Sequence, residues 1–183
     1  MKTKRKAKII AILILTASLL VGFLAGYLIN LGKPVTDAAE KKAEKGELPA
    51  DLLSTAGFEN VENIDLEPPT LMLSTNCSRL DMNITDDQIY SIGYALNNIS
   101  TPRPLTHDIF KSLIDNYNIE ILQIKIDSVN DEGIYKAKII FRQENKVLIL
   151  DSRPSDATGL AVRTNQTIWI KKDILDKYSI NIC

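Results

Sequence analysis

The chain has 183 residues, 45% hydrophobic and 25% charged, which fits one globular domain with additional segments. This composition excludes a disordered chain, a collagen-like repeat and a disulfide-dense miniprotein. The formal net charge is −1, but five of the 22 basic residues lie in residues 1–8, ahead of the first acidic residue, Asp37. The other 17 basic residues stand against 23 acidic ones, so the rest of the chain carries about −6. Nucleic-acid binding through a broad basic surface is thereby excluded.

Residues 9–31 form a run of 23 residues without a charge, preceded by the basic tail of residues 1–8. As a helix the run would reach about 35 Å, enough for the hydrocarbon core of a bilayer, which is ~30 Å thick. A cleaved signal peptide is the alternative, but its apolar region spans only about 7–15 residues, and no Ala-x-Ala site ends this run. We predict a single-pass membrane anchor with a cytoplasmic N-terminus and the C-terminal domain outside the cytoplasm.

Four Asn-x-Ser/Thr sequons follow the predicted anchor and agree with export; they begin at Asn76, Asn83, Asn98 and Asn165. Asparagine is also an ordinary turn residue, and that interpretation stays open. Only Cys77 and Cys183 are present, which excludes a cysteine-rich metal site. The two could pair in an oxidising compartment. We favour the alternative, in which Cys77 is a small buried hydrophobe and Cys183 a free end.

Residues 32–50 are predicted to be a linker, and residues 51–183 a single domain. Two short extended segments, Val61–Leu66 and Thr70–Leu73, flank a double proline, and Arg79–Asn83 is a third strand candidate.

Two amphipathic helices come next. Asp86–Asn97 is predicted to be a helix with Thr85 as N-cap, since acidic residues in the first turn favour a helix start. A second helix is predicted from about Thr106 to Tyr117, with Thr106 available as its cap and apolar residues on one face.

The hydrophobic period then changes from 3.6 to 2. Leu122–Ile126 and Tyr135–Phe141 alternate around a polar turn, which predicts a hairpin. Val147–Leu150 is a continuous apolar run of the kind typical of a central strand.

The C-terminal part returns to helix. Pro154 marks the start of a helix that covers Ala157–Arg163. A short strand, Ile168–Ile170, and a helical turn, Asp173–Lys177, follow. We therefore predict an α+β domain with one mixed, largely meander-connected β-sheet flanked by helices, preceded by one transmembrane helix.

Two polar clusters lie at junctions between elements, where functional sites are usually built. They are Pro102–Asp108 and Asp151–Asp156. The predicted catalytic residues are His107, Asp108, Asp151 and Asp156, and the predicted substrate-binding residues are Arg103, Arg153 and Ser155. Carboxylates suit Mg²⁺ or Mn²⁺, the histidine suits proton transfer, and arginine suits phosphate. This set predicts phosphodiester hydrolysis, with Asp108, Asp151 and Asp156 as metal ligands.

The same residues also have a purely structural interpretation. Acidic side chains stabilise the N-terminal end of a helix by roughly 0.3–1 kcal/mol without any catalytic role. Asp151 could also pair with an arginine, and the serines could cap helices.

The two clusters, in this order and followed by Arg163-Thr164 and the strand near Ile168, resemble the bifunctional nuclease family (BFN domain) over roughly residues 60–180. The resemblance implies a compact α+β domain that forms oligomers, and plant members of the family are credited with DNase and RNase activity. It supplies no established catalytic residue. The chain departs from the family pattern at Ile84–Asp87, where an Ile-Gly followed by Glu is usual, and in its predicted anchor.

The sequence therefore predicts a nuclease anchored in the membrane through residues 9–31, acting on DNA or RNA and assembling with itself, without a nucleotide cofactor. The alternative is a non-catalytic anchored module that binds a partner or self-assembles. A small-molecule esterase or phosphatase is disfavoured, because the chain has no Gly-x-Ser-x-Gly motif and no glycine-rich phosphate loop.

Overall fold

The computed structural model describes residues 51–183. The predicted basic tail, anchor and linker (residues 1–8, 9–31 and 32–50) lie outside the described residues. Among residues 51–183, no helix has both the length and the hydropathy needed to cross a bilayer.

This part of the chain forms nine strands and four helices. The strands are β1 (Phe58–Asn60), β2 (Asn63–Glu67), β3 (Thr70–Ser74), β4 (Ser78–Asn83), β5 (Glu120–Val129), β6 (Tyr135–Gln143), β7 (Lys146–Ser152), β8 (Ile168–Lys171) and β9 (Ile180–Asn181). The helices are α1 (Asp86–Leu96), α2 (Thr106–Asn116), α3 (Pro154–Thr164) and α4 (Lys172–Tyr178). The α+β class and all four predicted helices are confirmed, whereas β1 and β9 were not predicted.

The strands form two sheets, so the prediction of one sheet is wrong. The larger has the order β1-β8-β5-β6-β7 and is mixed, because β5 and β8 run parallel while its other pairs are antiparallel. The smaller has the order β2-β3-β4-β9 and is antiparallel throughout. The double proline, Pro68-Pro69, turns the chain from β2 to β3. The β2–β3 hairpin is then extended by β4, so these strands form the smaller sheet and do not join the β5-β6-β7 meander of the larger one.

Strand β7 lies at the edge of the larger sheet, so the prediction of a central strand at Val147–Leu150 is wrong. Leu148 and Ile149 are 46% and 40% exposed. A continuous apolar run indicates a strand whose two faces are both apolar, but it does not reveal whether a further strand pairs with it. Here β6 is the partner on one side, and the described residues provide none on the other.

Helix α3 is central to the packing of the domain. It contacts both α1 and α2 and lies against β6. Its small and apolar residues are almost entirely buried; these are Pro154, Ser155, Ala157, Thr158, Gly159, Leu160 and Ala161. Small side chains let neighbouring helices approach closely, and this brings polar residues of three helices together near the start of α3.

Cys77 and Cys183 form a disulfide, which corrects our preference for two unpaired cysteines. Strand β9 pairs with the start of β4, and the N–H of Ile182 donates to the carbonyl of Cys77 at 3.0 Å. This pairing places the two Cα atoms 5.0 Å apart. Because β9 is only two residues long, its sequence carries no strand signal from which the pairing could be predicted.

Candidate functional site

A cleft of about 700 Å³ opens where α1, the first turn of α2, the end of β7 and the start of α3 meet. Both polar clusters contribute to its lining, through His107 on one side and through Asp151, Arg153 and Asp156 on the other. The structure thus brings together four of the seven predicted site residues.

His107 is held between helices α1 and α3. Its Nδ1 lies 3.1 Å from the Oγ of Ser91, and its Nε2 lies 3.8 Å from Oδ1 of Asp156. The ring also rests on Gly159, where an added Cβ would come within 3.0–3.1 Å of three ring atoms. A Cβ at this position would be tighter than an ordinary contact, so a larger residue requires the imidazole to shift by a few tenths of an ångström.

The environment of His107 favours the neutral imidazole. Burial lowers the pKa of His107, and the positive charge of Arg163 lowers it further, while Asp156 and Asp108 oppose the shift only in part. The pKa therefore lies below the ordinary value of about 6.5. At neutral pH the ring carries one proton and presents one free nitrogen lone pair, as a general base must.

Asp156 and Arg153 form a two-pronged ion pair at the start of α3. Arg153 Nε donates to Oδ2 at 2.7 Å, and Nη2 donates to Oδ1 at 3.1 Å. The Arg153 side chain is 68% exposed. It therefore carries an accessible positive charge into the cleft, in a planar form suited to a phosphate group.

Asp108 is turned away from the cleft and bonded to Arg163. Arg163 Nε donates to its Oδ1 at 2.5 Å, and the N–H of Leu105 donates to its Oδ2 at 2.8 Å. Leu105, not Thr106, is therefore the N-cap residue of α2, which corrects the prediction. Partial burial raises the pKa of Asp108, but the two hydrogen bonds and the guanidinium charge outweigh this effect and hold it below its ordinary range.

Arg163 joins the three helices that surround His107. Besides Asp108 on α2, its guanidinium binds the carbonyl of Gly159 on α3 at 3.0 Å and the carbonyl of Ser91 on α1 at 3.1 Å. The side chain is only 6% exposed. Asp108 and Arg163 thus link α1, α2 and α3 and fix their positions around His107.

Two of the predicted substrate-binding residues lie apart from this cleft. Arg103 is exposed in the loop before α2 and is not among the cleft residues. Ser155 is 4% exposed and faces a second cleft, of about 590 Å³, which shares Arg153 with the first.

The predicted metal ligands do not form one coordination site. Asp108 is bonded to Arg163, and Asp156 is bonded to Arg153, so only Asp151 among the three lacks a guanidinium partner in the described structure. Residues 51–183 contain no group of three or more histidine, cysteine, aspartate or glutamate side chains placed to hold a metal ion. This donor set does not fit a Mg²⁺ or Mn²⁺ site built from protein ligands alone.

The asparagines of the four sequons are all exposed. Asn98 and Asn165 have positive φ angles of 52° and 54°, and Asn165 ends helix α3. Asparagine tolerates this conformation better than most residues, so turn formation alone accounts for these two positions.

Sequence reasoning missed Ser91, Gly159 and the role of Arg163. Ser91 gives no signal, since a single serine within an amphipathic helix is unremarkable. Gly159 and Arg163 are four residues apart in α3 and therefore share a helix face. That spacing is the one sequence signal that could have linked them to the site.

The fold and the cleft together define an α+β domain that carries a histidine, a carboxylate and an exposed guanidinium in one site. Residues 71–182, more than half of the chain, match the family model described as the bifunctional nuclease domain. The chain belongs to the bifunctional nuclease domain family, which confirms the resemblance seen in its sequence.

Two curated relatives come from Mycobacterium tuberculosis, the uncharacterized proteins MT1877 (strain CDC 1551 / Oshkosh) and Rv1829 (strain ATCC 25618 / H37Rv). Each is 29% identical to this chain over 116 residues, which cover 63% of this chain and 68% of the relative.

Proposed function

We propose that this protein hydrolyses phosphodiester bonds of DNA or RNA in the cleft around His107. The observation that carries the proposal is the placement of His107 beside the Asp156–Arg153 pair in an open cleft, and the lowered pKa of His107 agrees with it. A guanidinium binds and orients a phosphate, and a neutral imidazole accepts a proton from the attacking group and returns it to the leaving oxygen. Family membership supports the same chemistry.

In this mechanism each side chain has a separate task. Arg153 binds a non-bridging phosphate oxygen and offsets the charge that develops in the transition state. His107 transfers the proton. Asp156 orients the guanidinium and provides a negative charge near His107, which favours the imidazolium formed during the reaction. The mechanism is written with the side chains of this chain alone and assigns no step to a metal ion.

The acidic charge of the domain limits how nucleic acid is engaged. A basic surface would neutralise many phosphates at once, whereas this cleft offers one exposed guanidinium. We therefore propose contact with only a few nucleotides around the scissile phosphate. Cleavage of short oligonucleotides should depend only weakly on salt concentration.

The test is hydrolysis of single- and double-stranded DNA and RNA by the purified full chain, with Mg²⁺, with Mn²⁺ and with a chelator. We expect His107→Ala to lower the rate by about 100-fold or more, the usual loss when general acid–base catalysis is removed. Asp156→Asn should also lower the rate, because Arg153 loses the carboxylate that orients it. Asp176→Asn, at an exposed position on α4, is the matched control and should retain full activity. Equal cleavage by all four proteins would refute the site assignment, and dependence on added metal would contradict the metal-free mechanism.

We also propose that the domain lies outside the cytoplasm, anchored through residues 9–31. The disulfide between Cys77 and Cys183 supports this location, since such bonds persist in oxidising compartments. Alkaline phosphatase fused after Cys183 should be active, whereas a fluorescent protein that folds only in the cytoplasm should stay dark. An inactive phosphatase together with a fluorescent second fusion would place the domain in the cytoplasm.

A second candidate function is self-assembly, with or without catalysis. The observation that favours it is strand β7, an edge strand that carries the exposed side chains of Leu148 and Ile149. Unpaired edge strands with apolar side chains readily pair with another chain. We propose a second copy of this protein as that partner.

A further inference from the structure

Ser91 is a buried polar residue for which the mechanism above has no use. It lies in the middle of α1 and is 9% exposed, yet it contributes to the lining of the cleft. Its Oγ is 3.1 Å from Nδ1 of His107 and 3.4 Å from Nη2 of Arg163. A serine hydroxyl between an imidazole and a guanidinium is in an environment that activates it for attack.

We assign the Ser91 hydroxyl as the donor in the Ser91–His107 hydrogen bond, because Arg163 already donates to the Ser91 Oγ. A guanidinium has only donors, so at Arg163 the serine Oγ acts as acceptor. The hydroxyl hydrogen of Ser91 is then available to donate to Nδ1 of His107. A neutral imidazole that accepts at Nδ1 carries its own proton on Nε2, the nitrogen that faces Asp156.

Ser91, His107 and Asp156 therefore stand in the order nucleophile, base and carboxylate. The carboxylate is 3.8 Å from Nε2, and catalytic hydrogen bonds of this kind commonly tighten when substrate binds. The arrangement is recognised by the roles of its groups rather than by their sequence positions, and here the two imidazole nitrogens exchange the tasks they have in serine proteases.

We propose that Ser91 is the nucleophile of the reaction and that hydrolysis proceeds through a phosphodiester linked to its Oγ. The inference rests on the proposed function and deepens it, because it names the attacking group and divides hydrolysis into two successive displacements.

The two steps balance without any further reactant than water. In the first, a bond forms between the Ser91 Oγ and phosphorus while the hydroxyl proton moves to Nδ1 of His107. The bond from phosphorus to the leaving oxygen breaks, and that oxygen takes the proton from Nδ1. In the second step, a water molecule gives a proton to Nδ1 and attacks phosphorus. The bond between phosphorus and Oγ then breaks, and Oγ regains the proton.

The surroundings of Ser91 favour phosphoryl over acyl groups. Sites that hydrolyse carboxylic esters commonly stabilise the oxyanion with free backbone N–H groups close to the nucleophile. Ser91 is the sixth residue of α1, and only the first four N–H groups of a helix lack partners within the helix. The positive charges of Arg153 and Arg163 near the cleft instead suit the charge of a phosphate.

Stereochemistry at phosphorus tests the inference directly. The full-length protein is given a dinucleotide phosphorothioate of defined configuration in ¹⁸O-labelled water. Two displacements give net retention of configuration, and a single attack by water gives inversion. Retention is expected, and inversion would overturn the proposal.

A fluorophosphonate probe provides a second readout that needs no nucleic acid. We expect a mass increase on the peptide containing Ser91, because Oγ displaces fluoride from the probe, and no labelling in Ser91→Ala or His107→Ala. Ser91→Ala should lower kcat by about 1000-fold or more with an unchanged circular dichroism spectrum. Ser112→Ala, at an exposed serine on α2, is the control and should keep both activity and labelling.

The outcomes separate the two proposals. Labelling of Ser91 without hydrolysis of any nucleic acid would support the nucleophile and refute the proposed substrate. Hydrolysis that survives Ser91→Ala at a tenth of the normal rate or more, or that proceeds with inversion, would refute the nucleophile alone. A positioning role would lower kcat in Ser91→Ala but would give neither an adduct nor retention.

Discussion

At the scale of single residues, the site depends on close approaches that fix the histidine ring. Gly159 allows His107 to lie directly on α3, and Arg163 joins the backbones of α1 and α3 beside it. Neither residue needs to touch a substrate. Both decide where the imidazole nitrogens lie, and catalytic rates are sensitive to displacements of about 1 Å.

Gly159→Ala should separate activity from stability. The new Cβ would lie 3.0 Å from the ring of His107, so the imidazole must move, and we expect activity to fall at least tenfold. Alanine is favoured over glycine in a helix by up to about 1 kcal/mol, and this gain offsets the cost of moving the ring. The Tm should therefore change little. Gly93→Ala on α1 is the matched control, because its Cβ meets only Leu66 at 3.4 Å. Full activity in Gly159→Ala would show that the ring position is unimportant.

The pH dependence of the rate should reflect the lowered pKa of His107. The base is active when neutral, so the rate should reach its plateau as the pH rises and should fall as the pH drops through the lowered pKa. The acid limb of kcat/KM should therefore have its midpoint below about 6.5. Arg163→Gln removes one cause of the shift and should move the midpoint upward. A midpoint above 6.5 in the unaltered protein would contradict this assignment.

At the scale of elements, prediction succeeded where the signal is local. Alternating residues predicted β5 and β6, and proline and acidic residues predicted the starts of α1 and α3. It failed where a distant segment decides the outcome. The edge position of β7 and the pairing of β1 with β8 depend on partners elsewhere in the chain.

Prediction of the candidate site was likewise limited by contacts between segments that are distant in sequence. The two polar clusters indicated a site, but Asp108 was assigned to a metal because nothing near it in sequence shows that Arg163, 55 residues later, binds it. Ser91 comes from α1, a helix that neither cluster belongs to. Residue types therefore indicated the chemistry, and only the packing of three helices shows which atoms meet.

Strand β7 permits a test of self-assembly. Neighbouring residues of a strand point to opposite faces, so the exposure of both Leu148 and Ile149 means that both faces are open there. Ile149→Lys adds a charge at the edge and should convert an oligomer of the purified chain into a monomer, as measured by light scattering. Ile99→Lys, at an isoleucine outside the sheets that is 52% exposed against 40% for Ile149, should leave the oligomer intact. A monomeric unaltered protein, or an oligomer that survives Ile149→Lys, would refute the role of β7.

At the scale of the whole molecule, the disulfide links segments 106 residues apart in sequence. The bond joins Cys77, which precedes β4, to Cys183, which follows β9. It therefore reinforces a pairing between β4 and β9 that is only two residues long. A loop of this length restricts the unfolded chain strongly, so the bond should contribute to the stability of the fold more than the short strand itself does.

Cys183→Ser should therefore lower the free energy of unfolding by about 2–5 kcal/mol. A reductant should destabilise the unaltered protein by the same amount and should have no effect on the variant. Denaturant titrations of both proteins, with and without dithiothreitol, measure the difference. The cleft residues lie in other elements, so activity at low temperature should persist. Equal stability of all four samples would show that the bond contributes nothing.

Strand β8 has a consequence for how the protein is made. It lies between β1 and β5, although it follows β1 by more than a hundred residues. The hairpins β2–β3 and β5–β6 can form early, because their partners are adjacent in sequence, but β1 has no partner until β8 has been synthesised and has reached the same compartment. Until then the edge of β5 that β8 will cover stays open to other chains. Until β8 pairs with β5, the incomplete domain is therefore prone to aggregation. A chaperone or a rapid completion of translation would protect it during this time.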